Sequence, residues 1–307
     1  MDQTYAHVLL KRLEALPKKK LLVGVEKGDA GGREAISIDQ WRVYAARLLN
    51  QQVPREVARR AGGGSAGDPQ AMFDRLKDAT VFLYVFQFEN GKLRGAGSGT
   101  GFFIGPDLIM TNQHVVEKAT DSVHVFSNAV GWKRAAYVTG SGMMGGQGLD
   151  VKDYRSPVYL SFSAEFGIFQ DLVVAGYPGL ANDLDKGYAD LMRFIKRRLK
   201  GEKVAYVKGT VPAVKYAFGK LQSAYRGPTN YELIQHGVQT AKGNSGSALV
   251  NMCGEVVGIH AMGWAGGKKH KGTKYNYAYS VNEIRKFLQQ RGIRFDSAAG
   301  ACTAQAQ

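Results

Sequence analysis

The sequence predicts a mainly β protein built from antiparallel barrels, with a small helical unit in front and one helix at the end. Beyond residue 70 the chain is a series of short segments rich in β-branched and aromatic residues, separated by polar turns. The first two segments, within Thr80 to Gly105, flank the pair Asn90-Gly91, which is typical of a hairpin. Before residue 60, apolar residues recur at helical spacing instead.

The N-terminal part predicts a helical unit over residues 1–60. HVLLKRLEAL has one apolar face, and a second helical pattern begins at Ser37, a residue type that caps helices. The run AGGGSAGDP, Ala61 to Pro69, predicts a flexible linker over 61–70. We therefore expect a main domain over 71–296 and a disordered tail over 297–307. The helical unit is interpreted as a pro-segment or an adaptor for a protein partner.

Within the main domain, strand-like segments follow one another to the end. After the hairpin they are 107–116, 122–127, 134–140, 171–178, 202–214, 231–238, 247–251, 255–262 and 275–281. The pattern NEIRKFLQQRG predicts a closing amphipathic helix, with Ile284, Phe287 and Leu288 on one face. A further helix is predicted between two strands, over Asn182 to Lys203, and it carries the densest basic cluster of the chain.

The formal charge of +15 favours acidic partners, or reflects a solvated basic surface. Nucleic acid is disfavoured as a partner because Phe194 alone interleaves the basic cluster with an aromatic ring. The sequence contains no apolar run of membrane-spanning length and no signal-peptide pattern, so we expect a cytoplasmic protein without a membrane partner. Cys253 and Cys302 are too few for a disulfide framework and are expected to be free thiols in a reducing compartment.

Two motifs carry the chemistry. Ser245 lies in GNSGSALV, and His114 lies in TNQHVV about 130 residues upstream. A serine becomes a nucleophile when a base reaches its hydroxyl and when donors await the developing oxyanion. His before Ser, at this distance, is the order of the chymotrypsin-type double barrel. From Ala79 to Phe295 the chain resembles the trypsin-like serine peptidases.

That resemblance implies a chymotrypsin-like double antiparallel β-barrel with a C-terminal helix. It also implies that Ser245 is the nucleophile, that His114 is the base, and that the N–H groups of Gly243 and Ser245 form the oxyanion hole.

The resemblance further implies an aspartate that orients the imidazole of the histidine. Asp150 is the first candidate, because it follows a glycine-rich loop and precedes Val151, with a proline near the strand end. Asp153 lies three residues further on, and Asp171 directly precedes VVAGYPG. None of the three stands in the full pattern of the relatives, so all three stay open.

The specificity pocket, S1, is expected to be formed by Thr240, five residues before the serine, and His260 in GEVVGIHAM. With GNSGS, this pair resembles the glutamyl endopeptidase subgroup. The resemblance implies cleavage after glutamate at P1, the substrate residue that donates its carbonyl to the cleaved bond. Viral chymotrypsin-like cysteine proteases use a similar pair for glutamine, which is the alternative. Lys242 at the pocket rim favours the acid.

The sequence thus predicts a serine endopeptidase with a polypeptide substrate and no cofactor or metal. The alternative from another functional class is a protease-derived binding module with a degraded triad, which the irregular aspartate motif favours. The intact set of His114, Gly243 and Ser245 favours the enzyme.

Overall fold

A computed structural model of the chain describes residues 69–90, 92–119, 123–137, 146–151, 153–179, 185–207, 210–227, 229–265, 274–298 and 302. The predicted helical unit over residues 1–60 lies outside these residues, and so does the linker as far as residue 68. Residues 69 and 70 already belong to the first described helix.

The first barrel begins with that helix and is closed by antiparallel pairing of its first and fourth strands. Its elements are α1 (Pro69–Ala79), β1 (Thr80–Glu89), β2 (Lys92–Phe103), β3 (Leu108–Asn112), the one-turn helix α2 (Gln113–Val116), β4 (Val123–Ser127), β5 (Gly131–Tyr137) and β6 (Gly146–Val151). The strand order is β1-β2-β3-β6-β5-β4. As predicted, β1 and β2 form a hairpin, with Asn90 at a positive φ of 51°.

The second barrel is also closed and also has six strands. Its elements are β7 (Asp171–Gly176), helix α3 (Lys186–Leu199), β8 (Lys215–Arg226), β9 (Glu232–His236), β10 (Ala248–Val250), β11 (Val256–Ala265), β12 (Lys274–Ser280) and helix α4 (Val281–Gln290). The strand order is β10-β11-β12-β9-β8-β7. The predicted double antiparallel barrel with a closing helix is therefore confirmed.

Each barrel has its own apolar interior, and a third cluster joins them. Side chains such as Leu83 and Leu149 fill the first barrel, and Leu172 and Leu249 fill the second. The shared cluster includes α1, through Leu76, both barrels and α4. Burial of this apolar surface is the main force that holds the fold together.

The strand expected over 202–214 is not formed in its described residues, 202–207 and 210–214. Its apolar residues pack instead against α3 and the first barrel: the Tyr206 ring lies 5.9 Å from that of Phe126 and 5.4 Å from that of Phe194. The strand that follows β7 is β8. Its alternation of apolar and polar residues is hard to see in the sequence, because Gly219 and a bulge near Leu221 interrupt it.

The helix expected over Asn182 to Lys203 is confirmed as α3, and Asp185 caps it by accepting from two backbone N–H groups. Its basic cluster is partly neutralised within the chain. Arg193 pairs with Asp190 at 2.7 Å and Arg197 pairs with Glu202 at 2.6 Å. Arg198 lies over the Trp132 ring, 5.6 Å from its centre. These contacts agree with a solvated face of the protein.

Cys253 and Cys302 form a disulfide, so the expectation of two free thiols is wrong. The two Cα atoms are 6.0 Å apart although 49 positions separate them in the chain. The close approach arises because the chain after α4 returns to the barrel, where Phe162 forms bridges to Val256 and Ser297. The thiol argument for a reducing compartment is thereby removed.

Candidate active site

Ser245 lies in a tight turn between β9 and β10, and glycines make that turn feasible. Gly243 has a φ of 99° and Gly246 a φ of 88°, in the left-handed region that favours glycine. A Cβ atom on Gly243 would overlap the carbonyl oxygen of Tyr177, and one on Gly246 would overlap that of Thr100. The GNSGS motif therefore encodes a specific backbone path.

The turn carries the backbone N–H groups of Gly243 and Ser245. The Lys242 carbonyl accepts a hydrogen bond from Gly179 N–H. Because C=O and N–H point in opposite directions across a trans peptide, Gly243 N–H points away from Gly179. Within the described part of the chain, neither Gly243 N–H nor Ser245 N–H donates a hydrogen bond. Two such amides can stabilise a developing oxyanion.

The Ser245 hydroxyl is half-buried and donates to the carbonyl oxygen of Ala261, with an O···O distance of 3.2 Å. This bond holds the hydroxyl on β11. Nucleophilic attack requires it to turn towards a base, since a neutral hydroxyl is a weak nucleophile.

The end of β3, two residues before His114, lies close to the serine turn. Asn112, two residues earlier, donates from Nδ2 to the carbonyl oxygen of His260 at 2.6 Å. Gly246, the residue after Ser245, donates its N–H to the same oxygen at 2.9 Å. The end of β3 and the serine turn thus meet on one carbonyl group.

His114 itself is exposed on α2. Partial desolvation lowers its pKa below the ordinary value, and the negative charge of Glu117 opposes that shift. A lowered pKa keeps the imidazole neutral at pH 7, which is the form that can accept a proton.

The structure does not bring Asp150 to His114. In the β3–β6 register Asp150 faces Leu108, at the end of β3 remote from α2, while Gly146 faces Asn112. Four residues along a strand separate the two positions, a distance of about 13 Å. The expectation that Asp150 orients the imidazole is therefore not supported by this register.

The two other aspartates are also placed elsewhere. Asp153 is exposed beyond β6, at a positive φ of 59°. Asp171 lies in the second barrel and forms an ion pair with Lys220 at 2.8 Å. The segment 138–145 lies outside the described residues, and its sequence, VTGSGMMG, contains no acid.

Thr240 and His260 each have a polar partner on neighbouring strands of the second barrel. The Thr240 hydroxyl donates to Asn276 Oδ1 at 2.9 Å, and Asn276 Nδ2 donates to the carbonyl oxygen of Val238 at 2.8 Å. Asn276 faces His236 in the β12–β9 register. His236 Nε2 lies 3.2 Å from His260 Nδ1. The partners of the two residues proposed for S1, Asn276 and His236, therefore lie opposite each other on paired strands.

The buried histidine pair has a defined proton arrangement. His236 Nδ1 has no partner in the described part of the chain. A bare lone pair costs less in a buried site than an unpaired N–H, so we assign the His236 proton to Nε2, which donates to His260 Nδ1. Neutral His260 then carries its proton on Nε2, where it can donate to a ligand.

Burial lowers the pKa values of both histidines. Desolvation is the main cause, and it brings the pKa of His260 to about 4 and that of His236 to about 3. Repulsion between positive charges lowers both pKa values further. His114 has this effect on His260, and His260 has it on His236. Both imidazoles are neutral at pH 7 in the free site.

Three residues of this region were missed in the sequence, namely Thr100, His236 and Asn276. Thr100 stands in a glycine-rich run that resembles an ordinary strand turn. His236 and Asn276 stand inside strand patterns, where polar side chains alternate with apolar ones. The only usable signal was that His236 and Asn276 interrupt otherwise apolar or aromatic segments.

Within the described residues, no group of three or more His, Cys, Asp or Glu side chains is arranged to hold a metal ion. The helices among those residues are all too short or too polar to cross a membrane.

The sequence model of the trypsin-like peptidase domain matches residues 99–259, slightly more than half of the chain. Glutamyl endopeptidases of Staphylococcus aureus, from strains MRSA252 and MW2, are 28% identical over 217 residues. The match covers 64% of this chain, and 50% and 54% of the two relatives. The chain thus spans about half the length of the curated relatives it matches.

Solved structures show the same fold. The Rv3671c protease of M. tuberculosis in its active form aligns with a TM-score of 0.53 at 20% identity, over 78% of this chain and 93% of that one. The inactive form of the same protease aligns with a TM-score of 0.50 at 20% identity, over 74% and 98%. With the family model matching more than half of the sequence, the chain belongs to the trypsin-like peptidases.

Proposed function

We propose that this trypsin-like serine peptidase is an endopeptidase that cleaves after glutamate through an acyl-enzyme on Ser245. The observation that carries the proposal is the turn at Gly243 to Gly246. Among the described residues, two N–H groups of this turn donate no hydrogen bond, and the end of β3, just before His114, shares the His260 carbonyl with the turn. A binding module has no need for this arrangement.

In the first step Ser245 Oγ attacks the carbonyl carbon of the substrate, and His114 accepts the hydroxyl proton. The N–H groups of Gly243 and Ser245 stabilise the oxyanion. Collapse of the tetrahedral intermediate breaks the C–N bond, and His114 returns the proton to the leaving amine. Water then attacks the acyl-enzyme, with His114 again taking the proton, and the freed acid and Ser245 hydroxyl complete the cycle.

The P1 preference for glutamate is supported by Thr240 and His260 and by the similarity to proteins named glutamyl endopeptidases. A carboxylate beside His260 raises the pKa of that imidazole, so that binding takes up a proton and creates a buried ion pair. The Thr240 hydroxyl has to turn from Asn276 to the ligand for the second hydrogen bond.

Glutamine is the second candidate for P1, and the neutrality of the free site favours it. His260 Nε2–H donates as well to an amide oxygen as to a carboxylate, and an amide needs no proton uptake. Thr240, whose proton is given to Asn276, offers a lone pair to the amide N–H.

The test is a set of peptides that differ only at P1, which is Glu, Gln, Asp or Lys, with Ser245→Ala as the control. The proposal expects the highest kcat/KM for P1-Glu at pH 6, and no cleavage by the variant. Highest cleavage after Gln would support the second candidate, and highest cleavage after Lys would contradict the pocket. A wild-type protein that neither cleaves nor reacts with a fluorophosphonate would support the binding module.

The adaptor role of residues 1–60 is a separate hypothesis, and the acidic or protein partner it would recruit is not assigned. Its test is a truncated chain that begins at Asp68 and keeps α1, because Met72, Phe73 and Leu76 are buried in the shared core. Unchanged cleavage with loss of a pulled-down partner would support the adaptor. Unchanged cleavage with an unchanged set of partners would contradict it.

A further inference from the structure

Thr100 on β2 forms two hydrogen bonds to the serine turn. Its side chain is fully buried. Thr100 N–H donates to the carbonyl oxygen of Ser245 at 3.0 Å, and Thr100 Oγ1 donates to that of Gly243 at 2.8 Å. One residue of the first barrel thereby contacts both residues of the oxyanion hole.

The Thr100 hydroxyl is also an acceptor, and this fixes its direction. Tyr177 N–H donates to Thr100 Oγ1 at 3.1 Å. Because the oxygen accepts from Tyr177, its single proton is committed to Gly243. The Thr100 backbone is anchored in turn: Thr111 Oγ1 donates to its carbonyl oxygen at 2.7 Å.

The consequence concerns the two peptide groups that flank Gly243. The peptide before it is held where Gly179 N–H donates to the Lys242 carbonyl. The peptide after it is held at both of its polar atoms: Thr100 Oγ1 donates to the Gly243 carbonyl, and Asn244 N–H donates to the Ala241 carbonyl at 3.0 Å. Glycine has the widest choice of φ and ψ of any residue, so a φ of 99° stays fixed only if both neighbouring peptides are held.

We propose that Thr100 is a positioning residue whose hydroxyl fixes the direction in which the Gly243 N–H points into the oxyanion hole. This inference rests on the proposed function, because it takes Gly243 and Ser245 as the oxyanion donors. Without the hydroxyl, the peptide after Gly243 keeps the hydrogen bond from Asn244 N–H to the Ala241 carbonyl but loses the donor to its own carbonyl. It then rotates more freely, and the Gly243 N–H meets the oxyanion less often. The effect belongs to the transition state, so it changes kcat rather than KM.

The experiment compares Thr100→Val, which keeps the shape and removes the hydroxyl, with Thr100→Ser, which keeps the hydroxyl. Active sites are counted first with a burst titrant, so that kcat is expressed per functional site. Full loss of one oxyanion donor lowers kcat by about 100- to 1000-fold, and loss of its positioning should lower it by about 10- to 100-fold. We expect that loss for Thr100→Val at constant KM, and kcat within about threefold of wild type for Thr100→Ser.

A second readout separates positioning from folding. A peptide aldehyde forms a tetrahedral adduct and needs the oxyanion hole, whereas the cleaved product peptide does not. For Thr100→Val we expect the aldehyde to bind weaker by the same factor as the fall in kcat, and product binding to be unchanged. Thr80→Val is the matched control: Thr80 is equally buried, and its hydroxyl donates to the Leu76 carbonyl at 2.6 Å, away from the serine turn. It should keep the wild-type kcat.

The outcomes are distinct. If Thr100→Val keeps the wild-type kcat per active site, or loses product binding together with aldehyde binding, the positioning role is wrong and the proposed function stands. If the wild-type protein forms no adduct at Ser245 and cleaves no peptide, the proposed function and the role of Thr100 fail together.

Discussion

The serine turn and the histidine turn of this site are fixed to very different degrees. The peptides on both sides of Gly243 are hydrogen-bonded, and the Ser245 carbonyl accepts from Thr100. His114, in contrast, is exposed on a helix of one turn, and none of the three aspartates considered for it lies beside it. The comparison teaches that the serine turn is held in place by hydrogen bonds from several strands, whereas the segment that carries His114 is a single helical turn.

The largest expected effect comes from removing the nucleophile. Ser245→Ala should lower peptide turnover by on the order of 10⁴-fold or more, because no other described hydroxyl lies in the turn with free N–H groups. Turnover per mole of protein measures this. Ser247→Ala is the matched control, since Ser247 is a buried serine two residues further along. Equal losses in the two variants would contradict the assignment of the nucleophile.

Gly243→Ala tests the serine turn directly. The added Cβ would overlap the Tyr177 carbonyl and strain a φ of 99°, so the turn must move and its N–H with it. We expect kcat to fall by about 100- to 1000-fold.

The control for Gly243→Ala is Gly292→Ala. Gly292 also has a positive φ, of 63°, but its Cβ would meet nothing within 4 Å. That variant should lose about 1 kcal/mol of unfolding free energy and keep its kcat. Similar losses of kcat in both variants would show that activity follows stability rather than the geometry of the turn.

The pH dependence tests the S1 pocket. In the free enzyme the pKa of His260 is about 4, and a bound glutamate raises it. At pH values between the two, binding of the P1-Glu peptide takes up one proton. Its kcat/KM should therefore fall by up to tenfold for each unit by which the pH rises. The P1-Gln peptide, measured over the same range, should lack this fall. Parallel profiles for the two peptides would contradict proton uptake at His260.

The smallest expected effect is that of Asp150→Asn. Loss of a true triad aspartate lowers kcat by about 10⁴-fold in a well-studied relative of this fold. Because Asp150 faces Leu108 at the remote end of β3, we expect kcat within about threefold of wild type. A large loss of kcat with unchanged thermal stability would restore Asp150 to the triad and overturn the register argument.

The candidate site residues come from short motifs. GNSGS and TNQHVV single out Ser245, Gly243 and His114 as candidates, because a backbone turn and its flanking strand leave a local pattern. The series of short strand-like segments predicted the barrels, and the helical spacing of apolar residues in NEIRKFLQQRG predicted the closing helix. The strand at 202–214 was mispredicted because Tyr206, its aromatic residue, packs on Phe194 of α3 rather than in a sheet.

Contacts between residues far apart in the chain were beyond prediction. Whether Asp150 reaches His114 depends on the β3–β6 register, which one sequence does not reveal. The Cys253–Cys302 pair depends on the return of the chain after α4. Because these two cysteines are bonded, free thiols no longer support the cytoplasmic location expected from the sequence. The contact of Thr100 with the Gly243 carbonyl spans 143 positions and leaves no local pattern.

The most direct test of the central claim is to locate the adduct formed by a fluorophosphonate on the full-length protein. Digestion and mass spectrometry of the peptide that contains Ser245 and Ser247 would locate the added mass. We predict one adduct per chain, on Ser245, retained in Ser247→Ala and absent in Ser245→Ala. An adduct on another residue, or no adduct on a folded protein that cleaves peptides, would contradict a reaction centre at this turn.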